Sequence, residues 1–315
     1  MEERQAHEIY TLNPRKILAI DADNIINRAF HAIPAAFTED GTPTNALRGF
    51  CNTVMNLQEQ TGATEVVCAF DGGTPAFRKE AAPGYKTNRK PKPEELSLQL
   101  KICRLIICKS LGWAVLWKKE TEADDLLHTM ALRAKEARGV ELWIASGDKD
   151  LAQCLGQNNP AIRLLRPPKK PSEPWVALDA ENVETFFGVR PEQIADYLAL
   201  TGDSCDNLPG VQGAGPKTVM AWLKKHGTLE EIIRNKENLK PERLRAKIDP
   251  DQLGKNKTVT SAIDTGHEIP EKPAPVGDAR MALKELGLYK VAQRLDKTAP
   301  AQRVEKAPGY QTQRE

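Results

Sequence analysis

Three carboxylates stand within four residues at Thr121-Glu122-Ala123-Asp124-Asp125, directly before the apolar pair Leu126-Leu127. Thr121 suits a helix N-cap, with Asp124 three residues on in the capping-box position. Glu122 and Asp125 are three apart and so share a helix face. One acid near a helix N-terminus is favourable. Three acids repel one another, and a bound divalent cation is the simplest counter-charge. A solvated acidic first turn would read the same way in isolation, so the other acids have to decide.

Those acids recur at a fixed kind of place. Asp21 ends the apolar run Lys16–Ile20, and Asp71 ends Glu65–Phe70. Asp148 and Asp150 follow Glu141–Ala145, and the 122–125 cluster follows Ala114–Trp117 after a short link. Asp203 and Asp206 sit in the turn-rich loop Gly202–Gly210. The candidate metal ligands are therefore Asp21, Asp71, Glu122, Asp124, Asp125, Asp148, Asp150, Asp203 and Asp206, with no His or Cys cluster beside them. All-oxygen ligands select hard cations such as Mg²⁺ or Mn²⁺ over zinc. So many acids suit two ions or more, and paired ions about 4 Å apart suit phosphodiester hydrolysis.

Two further stretches could hold phosphate. Gly213-Ala-Gly215-Pro216-Lys217 opens a helix, where glycines let backbone N–H groups approach an anion and the helix dipole favours it. Pro216 between Gly215 and Lys217 excludes a Walker A loop, and an ordinary helix entry would use the same residues. The segment 77–92 carries Arg78, Lys79, Lys86, Arg89, Lys90 and Lys92 against Glu80 alone. Within it Tyr85-Lys86-Thr87-Asn88-Arg89 offers an aromatic face for an unpaired base and cations for phosphate.

The elements that must position these groups follow from periodicity. The four apolar runs read as buried strands, and 24–31, 44–60, 94–111 and 122–138 read as helices. Strands alternating with helices give an α/β fold with a largely parallel sheet. Ligands of such sheets bind beyond the carboxyl ends of the strands, which is where the acids lie. Residues 166–177 are proline-rich and read as a surface loop. The second half is helical: a helix from Pro191 to Leu200, the glycine loop, a helix ending at Gly227, and a capping box of Thr228 with Glu231. One more helix is expected over 279–296.

Composition bounds the class. The chain has 315 residues, 40% hydrophobic and 5% aromatic, with a formal net charge of +2. Mean hydropathy is −0.51, and no apolar run approaches the roughly 20 residues of a membrane span. The opening MEERQAHEIY is too polar and acidic for a secretory signal. Cys51, Cys68, Cys103, Cys108, Cys154 and Cys205 form no C-x-x-C pair and read as reduced thiols of a cytoplasmic protein.

Taken together, the stretches Ile20-Asp21 to Arg28-Ala-Phe-His-Ala32, Phe70-Asp71, Phe77-Arg78 with Tyr85-Lys86 and Arg89, Glu122–Asp125, Ser146–Asp150, Leu198–Asp203 to Val211, and Gly213-x-Gly215-x-Lys217-Thr218 resemble the structure-specific 5′-nuclease (flap endonuclease) family. The likeness is closest to the 5′–3′ exonuclease domain of bacterial DNA polymerase I and covers about 16–265. It implies a PIN-like mostly parallel sheet flanked by helices, a helical arch near 75–110, and a helix-three-turn-helix element near 191–227. By that likeness Asp21, Asp71, Glu122 and Asp124 hold one ion, and Asp148, Asp150, Asp203, Asp125 and Asp206 hold or orient the other. Lys86 and Arg89 stabilise the scissile phosphate, and Tyr85 stacks on a base. Arg28, Arg78, Gly213, Gly215 and Lys217 contact DNA, with a K⁺ ion at the glycine loop.

The expected substrate is DNA with a 5′ flap, nick or free 5′ end, cut in replication and repair by a cytoplasmic, nucleoid-associated monomer working beside a separate polymerase. The expected organisation is a leader over 1–15, a nuclease core over 16–180, a DNA-binding region over 181–296 and a disordered tail over 297–315. No polymerase region follows, so the chain reads as a stand-alone nuclease. Ala22 and Asp23 depart from the small residues, beginning with Gly, usual in bacterial members, and Asp23 adds a negative charge beside the first ion. Three rivals remain at this point. They are a PIN-type ribonuclease served by the same acids, a haloacid-dehalogenase-like phosphatase built on Asp21-x-Asp23, and a branched-DNA scaffold without catalysis.

Overall fold

The computed structural model describes residues 14–137, 139–156, 161–168, 170 and 173–298. The expected leader and tail therefore fall almost wholly outside the described residues, as does part of the proline-rich loop. Arg15 already belongs to the first strand.

The sheet has six strands: β1 Arg15–Asp21, β2 Glu65–Ala69, β3 Ala114–Leu116, β4 Val140–Ala145, β5 Ile162–Arg166 and β6 Val176–Leu178. Their order is β3-β2-β1-β4-β5-β6, parallel throughout except for the β5–β6 pair. Four of the six were expected from the apolar runs. Strands β5 and β6 flank the proline-rich stretch, which was expected to be loop throughout. Along β1 the side chains alternate between layers, as the pleat requires. Ile17 and Ala19 enter one core cluster, and Leu18 and Ile20 enter the other. Burial on both faces explains why the strand is apolar without a polar alternation.

Helices cover both faces. They are α1 Ala22–Ala32, α2 Asn45–Thr61, α3 Ala76–Ala81, α4 Glu94–Ile102, α5 Ala123–Glu136, α6 Val183–Phe187, α7 Ile194–Thr201, α8 Pro216–His226, α9 Leu229–Arg234, α10 Pro250–Thr260, α11 Ala279–Glu285 and α12 Tyr289–Thr298. α1, α2 and α4 pack with α11 and α12 on one layer, and α5 packs with the helical second half on the other. α4 runs on through a π turn at Cys103–Ile107 and a last turn at Cys108–Ser110. The single helix expected over 279–296 is two, α11 and α12, broken at Gly287 with φ +68°.

The expected helical arch near 75–110 is helix at both ends, α3 and then α4 with its continuation to Ser110, with turns between them. α3 gives it six residues, after which the chain continues in turns to residue 89 before α4 begins. Pro83, Pro91 and Pro93 each lack an N–H and break a helical ladder.

The strand order reverses beside β1, where β2 lies on one side and β4 on the other. At such a switch point the connections leave in opposite directions and open a crevice at the carboxyl edge. Asp21, Asp71 and Asp148 each stand at or just past the carboxyl ends of β1, β2 and β4.

Candidate active site

Asp21 ends β1 and caps α1, its Oδ1 accepting from the Asn24 amide at 3.1 Å. The Ser146 hydroxyl donates to its other oxygen at 2.6 Å. The carboxyl is buried, and burial pushes its pKa up to about 7, with the Asp71 and Asp148 carboxylates adding to the rise. Asp71 accepts from the Ala123 amide at 2.9 Å, which ties β2 to the N-terminus of α5.

Asp124 lies in the first turn of α5. Its carboxyl is pushed well above the usual range, first by burial and then by Asp148, Asp21, Asp150 and Asp71. Asp150 is raised in the same way by burial and Asp148, with Asp203 contributing. Carboxylates from four strand ends and the ribbon loop thus feel one another's charge in one cup. The cost of crowding these charges away from water is what raises the pKa values.

The acids are not all free. Asp125 is fully buried, and both its oxygens are held by the Arg78 guanidinium at 2.7 and 2.8 Å. This corrects the expectation that Asp125 attends an ion. It also corrects Arg78 as a DNA contact, because that side chain is 3% exposed and committed inward. Glu122 accepts from Arg78 at 3.0 Å and from the Tyr85 hydroxyl at 3.2 Å, both on Oε2. Its Oε1 lies 2.8 Å from Lys86 Nζ as an ion pair without hydrogen-bond geometry. Asp203 pairs with Lys149 at 3.2 Å, and Asp206 pairs with Arg89 at 2.5 Å.

The basic segment lies across this cup as a strap. The Lys86 amide donates to the Asp206 carbonyl at 3.0 Å, Asn88 to the Ser204 carbonyl at 2.8 Å, and Asn207 to the Gly84 carbonyl at 2.8 Å. Lys92 closes the other side on Asp23 at 2.5 Å, and Asp23 also accepts from the Asp71 amide at 3.0 Å. Lys86 takes a left-handed backbone, φ +59°, a conformation that costs a non-glycine residue and that its fixed neighbours must impose. Tyr85 is half-buried, with the Lys86 ammonium 4.8 Å from its ring centroid.

The loop carrying Asp203 and Asp206 is a two-stranded ribbon, β7 Gly202–Asp203 with β8 Leu208–Pro209. A Cβ on Gly202 would stand 2.3 Å from the Gly210 nitrogen, and Gly202 has φ +71°. Glycine is therefore required twice over there. Gly213, φ +86°, precedes Gly215, which caps α8 with open space beside it, and Lys217 is exposed in the first turn. Arg28 is exposed on α1.

Sequence reasoning missed Ser146 and Asn24 as site residues. Asn24 accepts from the Gly147 amide at 3.0 Å and so holds the loop that carries Asp148 and Asp150. Both positions lie within stretches whose motif was legible, but small uncharged side chains carry no signal of their own. The reading also placed the helix cap one residue early. Glu122 is the N-cap of α5, and the Thr121 hydroxyl bonds the Lys119 carbonyl instead.

Among the described residues, no three His, Cys, Asp or Glu side chains form a ready-made metal cage. The cation pairings above draw several of the acids aside. The donor chemistry nonetheless fits a hard divalent ion. A cavity of about 20 Å³, room for about one water-sized body, is lined by Glu122, Asp124 and Asp150 with Tyr85 and Arg78. Asp150 Oδ1 is buried with no hydrogen-bond partner, and Glu122 Oε1 is buried with only the Lys86 ion pair. Orphaned buried oxygens are costly and call for a cation.

Comparison with known proteins gives a consistent result. Residues 16–188 match the model of the 5′-3′ exonuclease N-terminal resolvase-like domain, and 189–263 match that of the 5′-3′ exonuclease C-terminal SAM fold. A 5′-3′ exonuclease of Aquifex aeolicus is 31% identical over 90% of this chain and 96% of that protein. Thermostable DNA polymerase I of Thermus aquaticus is 38% identical over 72% of this chain. The chain spans about a quarter of that polymerase's length, 26%. Among solved structures, a phage T5 protein co-crystallised with metal ions superposes with a TM-score of 0.65 at 18% identity, over 90% of this chain and 99% of that one. The T5 flap endonuclease in a complex with DNA and metal ions gives 0.61 at 17% identity, over 90% and 98%.

Proposed function

The chain belongs to the 5′–3′ exonuclease family, and on that premise we propose that it hydrolyses DNA phosphodiester bonds next to a 5′ flap, nick or free 5′ end. The observation that carries the reading is the gathering of Asp21, Asp71, Asp124, Asp148 and Asp150 at one sheet edge, where Asp21, Asp124 and Asp150 are raised first by burial and then by their acidic neighbours. Solvated loop acids would not perturb one another in this way. Asp21, Asp71, Asp124 and Glu122, once Lys86 has turned to the phosphate, would hold one divalent ion, and Asp148, Asp150 and Asp203 a second. Bound Mg²⁺ or Mn²⁺ would supply a water of lowered pKa and charge for the leaving oxygen.

The protein's own groups do the rest. Lys86 and Arg89, already above the acids, exchange their carboxylate partners for the phosphate and hold it in place. Tyr85 offers its ring to the base drawn beneath the strap. Gly213, Gly215 and Lys217 grip duplex backbone phosphates, with K⁺ as the ion of that loop, and Arg28 meets the strand at the rim. In this division the core to about residue 180 cuts and 181–296 holds the duplex. A separate polymerase is the natural producer of such flaps, and a monomer in the cytoplasm suffices for the work. Asp206 and Asp125 balance Arg89 and Arg78 and leave the ions to the others.

The test is Asp148→Asn on a labelled 5′-flap duplex, with a matched RNA flap beside it. Cutting should fall at least about 100-fold while binding is retained. Undiminished cutting would remove the metal assignment, and preference for the RNA flap would favour the ribonuclease reading.

A further inference from the structure

Arg78 has no part in the chemistry just described, yet its side chain is among the most fully bonded in the molecule. Nε donates to the Val259 carbonyl at 3.0 Å. Nη1 donates to Glu122 Oε2 at 3.0 Å and Asp125 Oδ2 at 2.7 Å. Nη2 donates to Asp125 Oδ1 at 2.8 Å and the Ser261 carbonyl at 3.0 Å. These bonds use every N–H that a guanidinium has. Lysine has neither the planar fork nor the donor count to replace it.

Arg78 and its partners join three separate parts of the chain. Glu122 and Asp125 open α5, Arg78 itself is on α3 at the foot of the strap, and Val259 and Ser261 belong to the end of α10 and the residue after it. α10 belongs to the duplex-holding region and is fastened to its α7 and to the ribbon. Asn256 donates to the carbonyls of Ala199 at 3.0 Å and Pro209 at 2.6 Å, and Thr260 donates to that of Ala195 at 3.0 Å. The segment 259–263 reaches the second set of acids as well. Gln153 donates to the Thr260 and Asp150 carbonyls at 2.9 and 3.1 Å and accepts from the Ala262 amide at 3.2 Å. The Ile263 amide donates to Asp125 Oδ1 at 3.1 Å.

We propose that Arg78 is a positioning residue for Glu122, through which α10 and the duplex-holding helices set the ion site. The inference rests on the nuclease reading above. Arg78 engages Oε2, Lys86 pairs with Oε1, and Glu122 so held lines the cavity with Asp124 and Asp150. Asp125 fixes the guanidinium from its other edge, so the fork cannot turn. Without the fork, Glu122 is held only by Lys86 and Tyr85 of the strap, and the ion loses a pre-set ligand. Groups that orient a ligand in this way typically set metal affinity by about 10- to 100-fold.

The experiment measures Mn²⁺ binding to the full chain by calorimetry without DNA, beside thermal unfolding and flap binding in chelator. Arg78→Lys should bind Mn²⁺ at least about tenfold more weakly and bind the flap in chelator as the wild type does. Removing Arg78 alone strands buried carboxylates, so the paired variant Arg78→Met with Asp125→Leu keeps the test open if the single one does not fold. It should recover thermal stability and keep the weakened Mn²⁺ binding. A variant with lowered thermal stability and wild-type Mn²⁺ affinity would make Arg78 a purely structural residue and overturn the proposal. Failure of the nuclease reading looks different, since wild-type protein would then neither bind Mn²⁺ nor cut the flap.

Discussion

Asp21 sets how the site answers to pH. Its pKa stands at about 7 in the folded protein against 3.8 for a free carboxyl, because burial and neighbouring acids oppose its charge. Between those values the folded chain holds a proton that the unfolded chain has lost. Stability from this group is therefore full below the lower value and declines as pH rises through the upper one. A divalent ion must displace the same proton. Its half-saturating concentration should fall as pH rises, by up to about tenfold per unit below neutrality. Titrating Mg²⁺ against thermal unfolding between about pH 5 and about pH 8 reads this directly, and an affinity flat across that range would contradict it. At this scale the acids were legible because each follows an apolar run. Arg78 was not, since an arginine inside a basic run looks solvated and nothing local reveals that Val259 and Ser261 will come to meet it.

Among the elements, the ribbon β7–β8 is the most tightly specified. Gly202 combines a left-handed φ with a backbone contact that leaves no space for a methyl group. Gly202→Ala should destabilise the protein by about 1–3 kcal/mol, seen as a lower urea midpoint. A midpoint unchanged from the wild type would mean that the ribbon is looser than described. Strands β1, β2 and β4 were readable because both their faces are buried. β5 was not, because Arg163 and Arg166 interrupt its apolar run. Those two arginines lie over the rings of Trp143 and Phe187, at 4.6 and 5.4 Å from their centroids. β6 is three residues long and mostly exposed, too short for a period to declare itself. The start of α5 was misjudged by one residue because threonine is the better cap by type, while Glu122 is drawn to the cap position by Arg78 and Tyr85.

For the molecule as a whole, the parallel sheet and its reversal beside β1 explain why acids more than a hundred residues apart share a cup. Alternating apolar runs made the fold class readable. How the second half docks was not, because it depends on single polar contacts such as Gln153 to the Thr260 carbonyl at 2.9 Å and Arg78 to the Val259 carbonyl at 3.0 Å. Such contacts have no period.

The strap has a topological consequence. It is tied to the ribbon through Gly84, Lys86 and Asn88, and to α1 through Lys92. With both moorings made, the strap closes over the acids, and a strand that reached them without releasing it would have to enter by its tip. A flap ending in a covalently closed loop should resist cleavage, and nicking that loop should restore it. If looped and open flaps were cut alike, the moorings would have to come undone in every turnover, as a buckle does.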